Sequence, residues 1–149
     1  MSVNQEAGRI RLMPGVEVLD RHNTRRGCKL FIKNPQAVSI GRRVSFDISD
    51  NIFLGERVII GEDTLIETHR HDIEDPWDQS KLGFCQLVIE DDVWIGARSI
   101  ILCGVGVIGQ GARVYAGSVL TKPVAAFSKW RGVPATMLGM REGKGNGGG

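Results

Sequence analysis

Aliphatic residues return every six positions along this chain, and that period leaves few folds open. Ile40 is followed at six by Phe46; Leu54, Ile60 and Ile66 keep strict step; Ile89, Ile95 and Ile101 do so again; after a slip, Ile108, Val114 and Leu120 resume. Many are followed by glycine or an acidic residue, as in Ile40-Gly41, Leu54-Gly55, Ile60-Gly61 and Ile95-Gly96. Two positions upstream stands a smaller residue: Val38, Val44, Val58, Thr64, Val93, Ser99, Ala112 or Ser118. This is the alternation of a short strand with one side inward, renewed every six residues. A helix would need apolar residues three and four apart over a long window, which a step of six does not supply. The expected fold is therefore all-β: three strands, about 18 residues, make one turn of a triangular solenoid whose aliphatic side chains stack on those of neighbouring coils. The glycine after the aliphatic residue is expected to serve a corner conformation that a residue with Cβ adopts at a cost.

The repeat organises the chain. Residues 1–27 are polar and irregular, 28–122 hold the solenoid with a loop at 72–86, 123–142 form a short C-terminal extension, and the tail 143–149, GKGNGGG, is expected to be disordered. A length of 149 residues suits one domain. The net charge is only +2 and the basic residues are scattered, so the chain lacks the basic stripe of a nucleic-acid binder. No apolar run reaches the roughly 18 residues of a membrane span, and MSVNQEAGRIRL lacks the apolar stretch of a signal peptide. A soluble, cytoplasmic protein is expected. Cys28, Cys85 and Cys103 are odd in number and form no CxxC pair, which reads as unremarkable thiols in a reducing compartment with no closed zinc site.

A regular solenoid has no obvious place for chemistry, so its interruptions are informative. The longest, DIEDPWDQSKLGFCQ at 72–86, carries Pro76 and the aromatics Trp77 and Phe84, which suit an ordered lid or a partner contact. His69 and His71 stand at its entrance. Histidine is the side chain whose ordinary pKa best suits proton removal near neutral pH. His22 lies outside the repeat and receives no role.

Three further stretches follow: IEDDVWIGARSIIL at 89–102, AGSVLTK at 116–122 and GVPA at 132–135. In this order and spacing they resemble the maltose, galactoside and xenobiotic O-acetyltransferase branch of the hexapeptide-repeat acyltransferases. The resemblance implies a left-handed parallel β-helix and transfer of an acetyl group from acetyl-CoA to a hydroxyl of a sugar-like acceptor, without a metal. It puts the general base some sixteen residues after a repeat glycine, and counting from Gly55 reaches His71, with His69 as neighbour or reserve. His69, Trp94 and Trp77 become acceptor contacts. Ala97, Ala116 and Gly117 match small positions that let the pantetheine arm approach; Lys122 matches a lysine that meets a coenzyme phosphate; Arg131, Gly132, Pro134 and Ala135 bracket the segment closing over the donor. A homotrimer is implied, with the donor groove between prisms.

The sequence departs from the branch at Cys103–Gly109, one residue longer than usual, where a bulge is expected, and at Trp130-Arg131, where small aliphatics are usual. Three alternatives stand beside this reading: a non-catalytic scaffold, an N-acetyltransferase or xenobiotic acetyltransferase on the same fold, and a γ-type carbonic anhydrase. The last would need three widely placed histidines.

Overall fold

The computed structural model describes residues 27–142 without a break, with 11–12, 15 and 17–19 before them. Short strands wind into a parallel β-helix with three faces. The first face stacks Leu30–Ile32, Ile52–Leu54, Leu87–Ile89 and Val107–Ile108. The second stacks Arg11–Leu12, Ser39–Ile40, Ile59–Ile60, Trp94–Ile95 and Arg113–Val114, and the third Glu17–Leu19, Ser45–Asp47, Leu65–Ile66, Ile100–Ile101 and Val119–Leu120. All pairings between successive coils are parallel and in register, as in Ile60 with Ile95 and Ile66 with Ile101.

Each repeat aliphatic fills the prism interior. Ile40, Ile60, Ile95 and Val114 form one buried column, and Phe46, Ile66, Ile101 and Leu120 another. Burying such a side chain stabilises the fold by about 1.5–3 kcal/mol. The smaller residues Val38, Val44, Val58, Thr64, Val93, Ser99, Ala112 and Ser118 are buried too, as the alternation requires. The serines satisfy themselves at the turns: Ser99 Oγ donates to the Gly96 carbonyl (2.7 Å) and Ser118 Oγ to that of Tyr115 (2.6 Å).

The repeat glycines serve a different purpose from the one expected. Gly41, Gly61 and Gly96 do not have positive φ; instead a Cβ there would run into the backbone of the next coil, 2.6 Å from the Glu62 nitrogen in the case of Gly41. The left-handed conformation falls two residues later, on Arg43, Arg57, Asp63 and Arg98, with φ of 54–57°. Their outward side chains pair between coils, Arg43 with Asp63 and Arg57 with Asp92, both at 2.6 Å. Glycine at these positions is thus required by close stacking, and the corner conformation falls on charged residues there and on Gly111 and Gly117 in the last coil.

Within the segment 1–27, Arg11–Leu12 and Glu17–Leu19 add in parallel to Ser39–Ile40 and Ser45–Asp47, so the prism starts a coil earlier than the legible repeat. His22 and residues 143–149 lie outside the described residues. At the other end Ser128–Gly132 joins the second face beside Arg113–Val114 and turns back through Ala135–Met140. Trp130, the departure from small aliphatics, ends the column above Val114; it is 6% exposed, and its Nε1–H donates to Ser128 Oγ at 2.8 Å.

The cysteine reading is corrected. Cys85 and Cys103 form a disulfide, their Cα atoms 5.3 Å apart, and Cys28 stands outside it with its thiol donating to the Ser49 carbonyl (3.4 Å). The cysteines therefore give no argument for a reducing compartment. Among the described residues no helix is long and apolar enough to cross a membrane.

Candidate active site

From Ile40 to Leu120, every departure from the six-residue step falls at the corner between the third and first faces. Phe46 to Leu54 takes eight residues, Ile66 to Ile89 includes the long loop, and Ile101 to Ile108 takes seven. In the third case the extra length is the turn Leu102–Gly106, where Gly104 and Gly106 have positive φ and Val105 turns fully inward. Successive coils therefore stack their irregularities on one edge of the prism, and they are bound together there.

The eight-residue step places Asp47 inside. It is fully buried, and a buried carboxylate is costly unless its oxygens are satisfied. Asp47 accepts from the Ser49 amide (3.2 Å), Ser49 Oγ (2.6 Å), the Thr68 amide (3.1 Å) and His69 Nδ1 (2.5 Å). Burial pushes the carboxyl upward, but the hydrogen bonds from Ser49, His69 and Thr68 outweigh it and hold Asp47 below its ordinary 3.8.

His69–Arg70 pairs antiparallel with Gly83–Phe84, making the loop a hairpin that leaves the prism at this corner. Gly83 lies under the exposed side chain of Arg70, whose Nε would be 2.7 Å from a Cβ there. The Cys85 amide donates to the Thr68 carbonyl (2.9 Å), and the Cys85–Cys103 disulfide ties the hairpin's return to the next coil. Inside the loop, Asp72 Oδ1 accepts from the amides of Glu74 (2.8 Å) and Asp75 (3.1 Å), and Asp78 caps the short 3-10 turn Gln79–Lys81.

His71 is exposed at the hairpin's mouth, and its Nδ1 faces the Pro76 carbonyl at 3.1 Å. A carbonyl only accepts, so in the neutral ring Nδ1 bears the proton and Nε2 the lone pair. The rings of His69 and His71 meet edge-on, 5.5 Å between centroids and 78° between planes. This corner thus assembles a buried carboxylate, a half-buried imidazole and an exposed imidazole in the tautomer of a general base. Asp47 carried no signal in the sequence beyond the eight-residue step that buries it.

The other candidate residues lie elsewhere. Trp77 sits on the loop, 89% exposed. Trp94 lies outward on the second face, 38% exposed, between Ile59 and Arg113. Ala97, Ala116 and Gly117 occupy the corner between the second and third faces; Ala116 and Gly117 are exposed, and a Cβ on Gly117 would meet open space. Lys122 follows the last third-face strand, its Nζ 5.8 Å over the ring of Trp130. Arg131 and Pro134 are exposed in the terminal hairpin, where Gly132 pairs with Ala135, which is buried. One prism therefore holds the two histidines on one corner and the small-residue strip on another. A pocket of about 630 Å³ lies on the first face, over the stacked rings of Phe31 and Phe53 and beside Lys33 and Asp91, and includes neither histidine.

With this geometry in place, comparison with known proteins adds the lineage. The family "Hexapeptide repeat of succinyl-transferase" matches residues 86–122. The chain is a hexapeptide-repeat protein. Its all-β prism is the left-handed β-helix of that group, and solved hexapeptide-repeat acetyltransferases share its architecture. One of them, from Vibrio cholerae O1 biovar eltor and complexed with acetyl coenzyme A, is 28% identical, with a TM-score of 0.58 over 74% of this chain and 64% of that one. The serine acetyltransferase of Salmonella typhimurium is 31% identical over 125 residues, 77% of this chain and 44% of the relative. A Staphylococcus aureus 2,3,4,5-tetrahydropyridine-2,6-dicarboxylate N-acetyltransferase is 48% identical over 52 residues, 35% of this chain and 21% of the relative. The chain spans less than half the length of these two curated relatives.

Proposed function

We propose that this protein transfers the acetyl group of acetyl-CoA to a hydroxyl of a sugar-like acceptor, with His71 as general base. The observation that carries the reading is the Nδ1 contact of His71 with the Pro76 carbonyl at the mouth of an ordered hairpin, which gives Nε2 the lone pair. In the proposed reaction Nε2 takes the hydroxyl proton as the acceptor oxygen bonds to the thioester carbonyl carbon, whose electron pair moves to its oxygen. Collapse of this intermediate breaks the carbon–sulfur bond, and the departing thiolate takes the proton back from the imidazolium. The products are the acetyl ester and free coenzyme A. Cys85, the thiol nearest the base in sequence, is held in a disulfide, which favours direct transfer over a cysteine acyl-enzyme.

For the donor, the open strip of Ala97, Ala116 and Gly117 would let an extended pantetheine arm lie against the backbone, and the exposed Lys122 ammonium would meet a phosphate. His71 and the strip lie on different corners, so the proposed site is completed by a second copy, in a homotrimer. A cytoplasmic supply of acetyl-CoA would place the reaction there. A second reading, transfer to an amine, is supported by the local 48% identity to an N-acetyltransferase.

Incubating the purified protein with acetyl-CoA and a panel of saccharides, hydroxy compounds and amines, and following release of free thiol, tests both. Turnover with hydroxyl acceptors supports the first reading and turnover with amines alone the second. No acceptor-dependent thiol release across the panel counts against enzymatic transfer altogether.

A further inference from the structure

Asp47 is the one ionisable side chain fully buried among the described residues. The corner between the second and third faces closes on serine hydroxyls and backbone carbonyls, as at Ser99 and Ser118, and where a carboxylate serves the corner between the first and second faces, as Asp91 does in accepting from the Glu56 amide, it stays partly exposed. Forming the corner therefore does not by itself account for a fully buried carboxylate at this position. Its carboxylate joins two coils: Ser49 braces it from its own coil, while Thr68 and His69, on the segment bearing the histidines, bind it from the next. Thr68 is held again where its Oγ1 donates to the Asp47 carbonyl at 2.6 Å.

We propose that Asp47 and His69 form a positioning pair, rooted in the core by the buried carboxylate, that sets the ring of His71. This rests on the reading of His71 as the base. Asp47 accepts the His69 Nδ1 proton and so fixes both the plane of that ring and its position on the prism. The His69 ring meets that of His71 edge-on at 5.5 Å, and from the loop side the Pro76 carbonyl holds His71 Nδ1. One contact rooted in the core and one in the loop thus bear on the ring of His71. Asp47 acts only through His69, and neither is a catalytic residue.

Two variants and their combination test this, by steady-state kinetics and by nitrogen-15 NMR of the histidine rings. Asp47→Asn and His69→Ala should each lower kcat about tenfold or more, because small displacements of a reacting group are expensive in rate, and leave the KM for acetyl-CoA in place. The double variant should be no slower than His69→Ala alone, since the two act in series. In both single variants the His71 ring signals should move from the Nδ1–H tautomer towards a mixture, a change that a carboxylate serving only the turn would not produce. If Asp47→Asn fails to fold, His69→Ala carries the test, because it leaves Asp47 its bonds to Ser49 and Thr68. Wild-type kcat in Asp47→Asn, multiplying losses in the double variant, or an unchanged His71 tautomer would each overturn the proposal. If instead His71→Ala keeps full activity while the tautomer shift occurs in the other variants, positioning stands and the assignment of the base fails.

Discussion

The corner between the second and third faces and the corner between the third and first faces are made by the same stack of coils, yet they are built on different rules. At the former, each coil turns in six residues, and Gly61, Gly96 and their neighbours let backbones lie against one another with little side chain between. At the latter, steps of eight, seven and many more residues are held together by a buried carboxylate, a hairpin and a disulfide. Regular stacking makes a solenoid stable because each coil needs only its neighbours, but it also makes every site alike. Chemistry needs a place where unlike groups converge, and from Ile40 to Leu120 the prism confines that exception to one edge while the other two corners keep the six-residue step.

The sharpest way to break this contrast is to remove the exposed imidazole. His71→Ala should lower kcat by about 10² to 10⁴, the usual contribution of a positioned base, with the circular dichroism melt unchanged because the side chain lies outside the core. Steady-state rates at saturating acetyl-CoA measure it. Undiminished activity would show that the irregular edge is structural and that the proposed mechanism lies elsewhere.

How much of this was legible follows the same divide. The six-step through Leu54, Ile60 and Ile66, and again through Ile89 and Ile95, announces the inward columns, because side-chain alternation is a local property of a strand. The loop and its two histidines stand out as interruptions. Three things do not stand out. Asp47 looks like any acidic residue after a repeat aliphatic, since its burial depends on Ser49, Thr68 and His69 arriving from two coils. Cys85 and Cys103 are 18 residues apart, one coil of the prism, so the period itself stacks them, but an odd count with no CxxC pair draws attention away from that spacing. The repeat glycines read as a demand of backbone conformation because sequence carries no information on how closely the next coil passes.

The regular corner gives a prediction of opposite character. Gly61→Ala puts a Cβ against the backbone of Ala97 in the next coil, and neither backbone can yield without shifting its strand. Overpacking of this kind costs about 1–3 kcal/mol, so the thermal midpoint should drop while kcat per folded molecule stays near wild type. Differential scanning calorimetry alongside the rate assay separates the two readouts. A large loss of kcat with an unchanged midpoint would mean that the small-residue strip takes part in the chemistry, and the contrast between the corners would fail.

The smallest expected effect probes the end of the prism, where the two kinds of structure meet. Lys122 is exposed, and its ammonium lies 5.8 Å over Trp130, the indole that ends an inward column. Two roles follow from that position. A cation over an aromatic face contributes about 0.5–1 kcal/mol at an exposed site, so Lys122→Ala should lower the thermal midpoint slightly whether or not coenzyme binds. If the ammonium also meets a coenzyme phosphate, as proposed, the same variant should raise the KM for acetyl-CoA a few-fold and leave that for the acceptor unchanged. The roles respond differently to salt. An exposed contact with phosphate is screened as the Debye length falls from about 10 Å at 0.1 M to about 3 Å at 1 M, so the KM difference between variant and wild type should shrink across that range. Contact with the indole across less than a Debye length at moderate salt should persist better. Lys122→Arg keeps the charge and should retain much of the donor affinity. A KM change that ignores salt, or one seen for the acceptor and not the donor, would reduce Lys122 to packing on Trp130 and leave the donor strip to the backbone of Ala116 and Gly117.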